Sequence, residues 1–201
     1  RGLGTTIAGH YTKVAKEICK LLYKAKNLAY LDLNSQEGQE YWLAMNLAGD
    51  YASACHEIIH NKLQKVLGGT LLAKVENHHN FAWKETWNNE EVIVHRKGAT
   101  PASKDVMGII PGSMTASGFL VRGKGEENAI NSASHGAGRQ MSRTQATKSI
   151  KKSEMSQILK EHGVTLIGAG LDEAPMAYKD INLVMESQQE LVDVVPRFTP
   201  I

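Results

Sequence analysis

The run Ser134-His135-Gly136-Ala137-Gly138-Arg139 sets one imidazole among residues too small to shield it, beside a guanidinium able to hold a phosphate. Glycines flanking an alanine let the backbone approach a ligand closely and adopt positive φ. The run therefore reads as a phosphate cradle with a nucleophile inside it. A second cluster, Asn77-His78-His79-Asn80, offers imidazoles of the kind that ligate first-row transition metals. Together the two point to metal-assisted nucleotidyl chemistry. Two more segments carry suitable residue types, His95-Arg96-Lys97-Gly98-Ala99-Thr100 and Pro111-Gly112-Ser113-Met114. Each has an ordinary alternative when taken singly: a lone histidine is more often a hydrogen-bonded structural residue, and Pro-Gly-Ser is more often simply a turn.

The elements that must position these residues change character along the chain. Apolar residues at three- and four-residue steps predict helices over about 9–28 and 39–67, the second with a stripe of Tyr41, Met45, Ala48, Ala52, Cys55, Ile58 or Ile59, Leu63 and Val66. That stripe reads as a core face, and Gly68-Gly69 ends the helix. After Thr70 short apolar or alternating runs predict strands at 71–75, 92–95, 106–110, 119–121 and 129–133. Arg143 stands at the start of a further helix. Ser153 is expected to cap another to about His162, followed by a strand over 164–167 and a helix over 180–192. The class is α+β, with helices grouped in the first third and a mixed sheet with helices after it. No internal repeat, low-complexity tract or clean domain boundary stands out.

Composition limits the reading further. With 201 residues, 42% of them hydrophobic, the chain can bury a sizeable core and is neither disordered nor fibrous. No apolar run is long enough to cross a bilayer and no leader opens the sequence, so a soluble protein without a membrane partner is expected. Cys19 and Cys55 lack CxxC spacing, which favours a reducing compartment, the cytoplasm by default. The net charge of +2 conceals a basic centre: between His95 and Lys152 ten Lys/Arg face three acidic residues, a local +7. A charge run of this kind is ordinarily a solvated face, but its overlap with the glycine motifs favours a phosphate-bearing partner.

In this order the motifs resemble those of the RtcB family of RNA ligases. Arg1-Gly2-Leu3-Gly4 looks like the end of that family's His-Ser-Gly-Ser-Arg-Gly motif, and His78-His79-Asn80 resembles its His-His-Asn segment. Arg96-Lys97-Gly98-Ala99, Ile110-Pro111-Gly112-Ser113-Met114, Gly123-Lys124-Gly125 and Ser134-His135-Gly136-Ala137-Gly138-Arg139 follow in family order. Glu173-Ala174-Pro175-Met176-Ala177-Tyr178-Lys179-Asp180 resembles its later nucleotide-binding signature. The similarity runs through nearly all of the chain.

The resemblance implies an enzyme that joins RNA ends bearing a 2′,3′-cyclic phosphate or 3′-phosphate to a 5′-hydroxyl, using GTP and Mn²⁺, in tRNA splicing or RNA repair. His135 would be the nucleophile that takes GMP through a nitrogen–phosphorus bond, and His79 a manganese ligand. Asn80, Ser113, Gly136, Ala137, Gly138 and Tyr178 would contact the guanylate. Arg1, Lys97 and Arg143 would bind RNA phosphates, and an activating helper protein is a further implied partner. His78 is read as structural. The sequence departs from the family at Gly118, which stands where the family usually has a serine that contacts the nucleotide. It also lacks the family's Asp-x-x-Cys pair, its Asn-His-Phe segment and its Lys-Gly terminus. Residues 1–201 are thus expected to be the carboxy-terminal portion of a single RtcB-like catalytic domain whose amino-terminal part is not in this sequence. The residue types leave two other classes open, a non-catalytic RNA-binding relative and a metal-dependent phosphohydrolase, since the same constellation stabilises a phosphate in either reaction.

Overall fold

Helix caps explain the first part of the chain in the computed structural model, which describes residues 2–20, 23–78 and 80–200. Helix α1 (Leu3–Ile18) is followed by a 3₁₀ segment at Tyr23–Leu28 and then by α2 (Gln36–Leu67). The Ser35 hydroxyl accepts from the Gly38 amide at 3.1 Å to open α2, and Gly68 closes it in the left-handed conformation at φ +65°. Gly38 is required because a Cβ there would collide with the Asp32 carbonyl. The first helix is displaced from the expected 9–28. It stops at Ile18 because Cys19 turns the chain: its Sγ donates to Tyr30 O at 2.9 Å and accepts from Tyr30 N at 3.3 Å. The expected core stripe of α2 is half-buried from Tyr41 to Cys55, where Tyr41 meets Tyr11 at 5.1 Å between ring centroids. From Ile58 onward its apolar residues are exposed. This helical part, 1–72, is one compact unit, and 73–201 is another.

The second unit is built from short antiparallel strands. Strands β1 (Phe81–Trp87) and β2 (Glu90–Arg96) form a hairpin whose two-residue turn, Asn88-Asn89, has positive φ at both positions, the geometry that matches strand twist. Strand β3 (Ala99–Pro101) pairs with β6 (Ser132–Ser134). Strands β4 (Met107–Ile110), β5 (Gly118–Gly123) and β7 (Val192–Phe198) form a three-stranded sheet in that order. Helices α3 (Arg143–Ser149), α4 (Lys152–Glu161) and α5 (Ile181–Glu186) complete the unit. Among the described residues no helix is long and apolar enough to cross a membrane.

Four expected elements are corrected. Residues 71–75 carry no regular structure. The strand expected at 129–133 begins only at Ser132, because Ile130 and Asn131 take left-handed φ and make a turn. The run 164–167 is the C-terminal wrap of α4 rather than a strand: Gly163 sits at φ +67°, Val164 N donates to Leu159 O at 2.9 Å, and Val164 packs back on the core. The last helix starts where its Asp180 cap predicts but ends at Glu186, and Val192 onward joins the sheet beside β5. Helix α4 opens one residue before Ser153. The Glu154 carboxylate accepts from the Lys151 amide at 3.2 Å and supplies the cap.

Two apolar clusters hold the unit. Ile110, Phe119, Val121, Ile181, Met185 and Val192 form the larger one between the sheet and α5. Ala146, Ile150, Met155, Leu159, Ala174 and Ala177 form the other around α3 and α4. Tyr178 packs against both.

Candidate functional site

Strand β4 ends at Ile110 and β6 at Ser134, and the loops that leave them run side by side. Pro111 O accepts from Ala137 N at 3.0 Å, which fixes one loop on the other. Gly136 lies so close to Pro111 O that a Cβ would come to 3.2 Å of it, and Gly138 takes φ +72°. Both glycines are thus dictated by local geometry. Gly98, in the turn after β2, accepts from His135 N at 3.3 Å, and Ser134 Oγ donates to Gly136 O. The nucleophile candidate is therefore held by its own backbone on two sides.

These loops wall a cavity of about 680 Å³, within the range that takes small-molecule ligands. His135, Ser113, Gly136, Ala137, Gly138, Tyr178 and Arg143, all expected at the site, line it together. The remaining expected residues fall elsewhere. Asn80 is exposed before β1 at φ +57°, and Lys97 is exposed in the turn before Gly98; neither lines the cavity. The segment carrying Asn80 is anchored nearby, because Asn77 Oδ1 accepts from Ile109 N of β4 at 3.0 Å. Arg1 and His79 lie outside the described residues. His78 stacks on Phe81 at 4.6 Å between ring centroids.

A charged network forms the far wall. The Arg139 guanidinium lies 5.0 Å from the Tyr178 ring centroid, and Arg139 also donates to Tyr178 Oη at 3.2 Å, to Met141 O at 3.1 Å and to Asp172 O. Tyr178 Oη donates to Glu173 Oε2, and Arg143 pairs with both Asp172 and Glu173. Burial, the Glu173 hydrogen bond and the Glu173 charge raise the Tyr178 pKa against the opposing pull of Arg139, so its hydroxyl stays a donor at neutral pH. The Asp172 and Glu173 contacts raise that of Arg143, which stays charged. Each cation in this wall is already balanced by a carboxylate, so an incoming phosphate must share the guanidiniums with Glu173 and Asp172.

Reading the sequence did not anticipate two parts of this wall. Glu173 was visible only as part of a motif, and its pairing with Arg143 spans 30 positions. Phe198 gave no signal because it lies beyond the expected helix over 180–192, in a strand that forms only by pairing with β5. Its ring covers Gly118, where a Cβ would fall inside the ring's van der Waals surface, and both residues line the cavity. Gly118→Ser should push the ring aside at a cost of about 1 kcal/mol, the low end for overpacking because Phe198 is 45% exposed. Adding Phe198→Ala should remove that cost. Urea denaturation of both variants and wild type checks this, and equal destabilisation with and without the ring would refute it.

Among the described residues no group of three or more His, Cys, Asp or Glu comes together. The cavity volume is adequate for a nucleotide-sized ligand, the glycine backbone permits close approach, and Ser113, Arg139 and Tyr178 line it as polar handles.

Comparison with known proteins agrees with the motif order. The family model described as tRNA-splicing ligase RtcB matches residues 1–201. An Escherichia coli protein named RNA-splicing ligase RtcB1 is 37% identical over 97% of this chain and 51% of its own length. A Nanoarchaeum equitans protein named tRNA-splicing ligase RtcB is 33% identical over all of this chain and 49% of its own length. A Mycobacterium bovis relative, named RNA-splicing ligase RtcB, is 29% identical over all of this chain and 54% of its own length. The chain spans about half the length of the curated relatives it matches. With a full-length family match running through the same loops that build the cavity, the chain belongs to the RtcB family.

Proposed function

We propose that the chain is the part of an RNA ligase that carries the guanylyl-accepting histidine, and that the protein joins RNA ends bearing a 3′-phosphate or 2′,3′-cyclic phosphate to a 5′-hydroxyl. The observation that carries this reading is the position of His135: half-buried, fixed through its backbone, and on the wall of a nucleotide-sized cavity with Arg139 and Arg143. A ring nitrogen of neutral His135 attacks the α-phosphorus of GTP. A nitrogen–phosphorus bond forms, the bond to the bridging oxygen breaks, and pyrophosphate leaves. Gly136, Ala137 and Gly138 let the α-phosphate approach the backbone, Ser113 donates to the guanylate, and Tyr178 offers a ring face with a protonated hydroxyl. A 2′,3′-cyclic end is first opened by water to a 2′-hydroxyl and a 3′-phosphate. The phosphoramidate then passes GMP to an oxygen of the 3′-phosphate, freeing His135, and the 5′-hydroxyl of the second strand attacks that 3′-phosphorus with loss of GMP. Manganese, with His79 among its ligands, supplies charge neutralisation of the phosphates when bound.

The test is incubation of the full-length protein with GTP labelled at the α-phosphate, Mn²⁺ and RNA of the stated end chemistry. A protein-bound label that is lost in acid and kept in alkali, together with longer RNA, is expected. An acid-stable label, or inorganic phosphate without joined RNA, would refute the reading.

Lys97 and Arg143 serve RNA phosphates in the same reading. Arg143 sits at the cavity mouth with 64% of its side chain exposed. Arg143→Ala should weaken RNA binding and reduce the magnitude of its log–log salt slope by about one, leaving guanylylation of His135 in place. Anisotropy titrations of a labelled oligonucleotide at several salt concentrations report this. Loss of labelling in parallel with binding would assign the arginine to the nucleotide.

A further inference from the structure

A second cavity of about 590 Å³ lies on the other side of the loop that follows β4. It shares Ser113, Ala116 and Tyr178 with the nucleotide cavity, so the two are separated by one loop and one ring. Its own wall is polar and carries Lys179, Arg197, Gln140 and Asn182. Among the described residues neither Lys179 nor Arg197 has a carboxylate within ion-pair distance, in contrast to the fully balanced Arg139 and Arg143 next door. The acidic residue of the wall, Asp180, commits Oδ1 to the Asn182 backbone and side-chain amides at 2.8 and 3.2 Å. Lys179 is held through its backbone, its amide donating to Gly138 O at 3.0 Å, which ties this cavity to the His135 loop.

We infer that this second cavity binds the sugar-phosphate backbone of the RNA strand whose end reacts in the first, with Lys179 and Arg197 each meeting a phosphate. The inference rests on the function proposed above. Two cations against the single carboxylate of Asp180 leave this polar cleft net positive, the electrostatic footprint of a polyanion. The neighbouring amides and hydroxyls, Gln140, Asn182, Thr115 and Ser117, suit ribose and phosphate oxygens rather than a flat apolar ligand. RNA is favoured over the triphosphate of the nucleotide because His135, Gly136, Gly138 and Arg139 line the first cavity and not this one. A strand passing over Tyr178 would bring its terminal phosphate from this cavity to the imidazole.

The test uses the full chain with Arg197→Gln, Lys179→Gln and the charge-conserving Arg197→Lys, titrated with a labelled single-stranded RNA across a range of salt. Each neutral substitution is expected to weaken RNA binding several-fold and to lower the magnitude of the salt slope by about one, with Arg197→Lys close to wild type. GTP-dependent labelling of Arg197→Gln should match wild type. Unchanged RNA affinity and slope in both neutral variants overturns the inference. So does weaker GTP labelling with intact RNA binding, which would make this a site for the nucleotide's phosphates. A wild-type protein that neither labels nor binds RNA overturns the proposed function itself, a result separable from either of these.

Discussion

Replacing His135 with alanine is expected to remove guanylylation and RNA joining together, each by about 10³-fold or more, while the folded state and RNA affinity stay close to wild type. The size of the loss follows from the role: no other described side chain lining the cavity is an imidazole, so no neighbouring group can take over nucleophilic attack on phosphorus. Retention of the fold follows from the surroundings. The loop is held by main-chain bonds, Ala137 N to Pro111 O and His135 N to Gly98 O, which an alanine keeps. Labelling with α-labelled GTP, paired with thermal unfolding, measures both halves. A midpoint that collapses along with activity would make His135 a structural residue, and labelling that persists would place the nucleophile elsewhere.

The second large effect is expected far from the cavity, at Glu85. Arg96 is almost wholly buried, with 2% of its side chain exposed. It binds both Glu85 oxygens, the second at 3.2 Å, as well as Ser132 Oγ at 2.8 Å and Ile130 O at 3.0 Å, and lies 5.1 Å from the Trp83 ring centroid. Removing the carboxylate strands a buried guanidinium. Glu85→Gln should cost about 2–3 kcal/mol at neutral pH, less than the roughly 3–5 of a fully buried pair because Glu85 keeps 23% of its side chain in solvent. Burial alone would raise the Glu85 pKa, but the hydrogen bonds from Arg96 and Trp87 and the Arg96 charge outweigh it and hold the carboxyl below its ordinary range. A depressed carboxyl stabilises the fold fully above its unfolded value, about 4.3, and the contribution fades as pH falls through the lower folded value. Urea midpoints of wild type should therefore drop toward those of Glu85→Gln as the solution is acidified. A constant gap from pH 7 to pH 3 would show that the pair contributes no proton-linked stability.

How much of this was legible varies by residue. Gly68 and Asp180 mark helix ends through side chains or φ preferences that act within a few positions, each at a boundary where expected, whereas Ser35 opens α2 at Gln36, three residues before the expected 39. Strand β1 is absent from the expected elements although it carries a local signal, the two-residue Asn88-Asn89 turn between two strand-forming runs. Strand β7 was not legible, since Val192–Phe198 becomes a strand only by pairing with β5, some seventy residues earlier. The same limit applies at the site. The loop glycines, His135 and Tyr178 could be read from local motifs, whereas the Glu173–Arg143 pair and the Phe198 ring over Gly118 exist only through tertiary proximity. Asn80 and Lys97 were assigned by motif order alone and flank the cavity without lining it.

Tyr178 packs on both apolar clusters while forming the cavity wall, so the site lies at the seam between the two clusters. Any molecule that binds across this seam stabilises the packing on both sides of it at once, by an amount that grows with the logarithm of its concentration relative to its dissociation constant. Occupancy at the cavity is then expected to raise amide protection along α4, whose Met155 and Leu159 belong to the second cluster. The ring that lines the cavity is also the clasp between the two clusters.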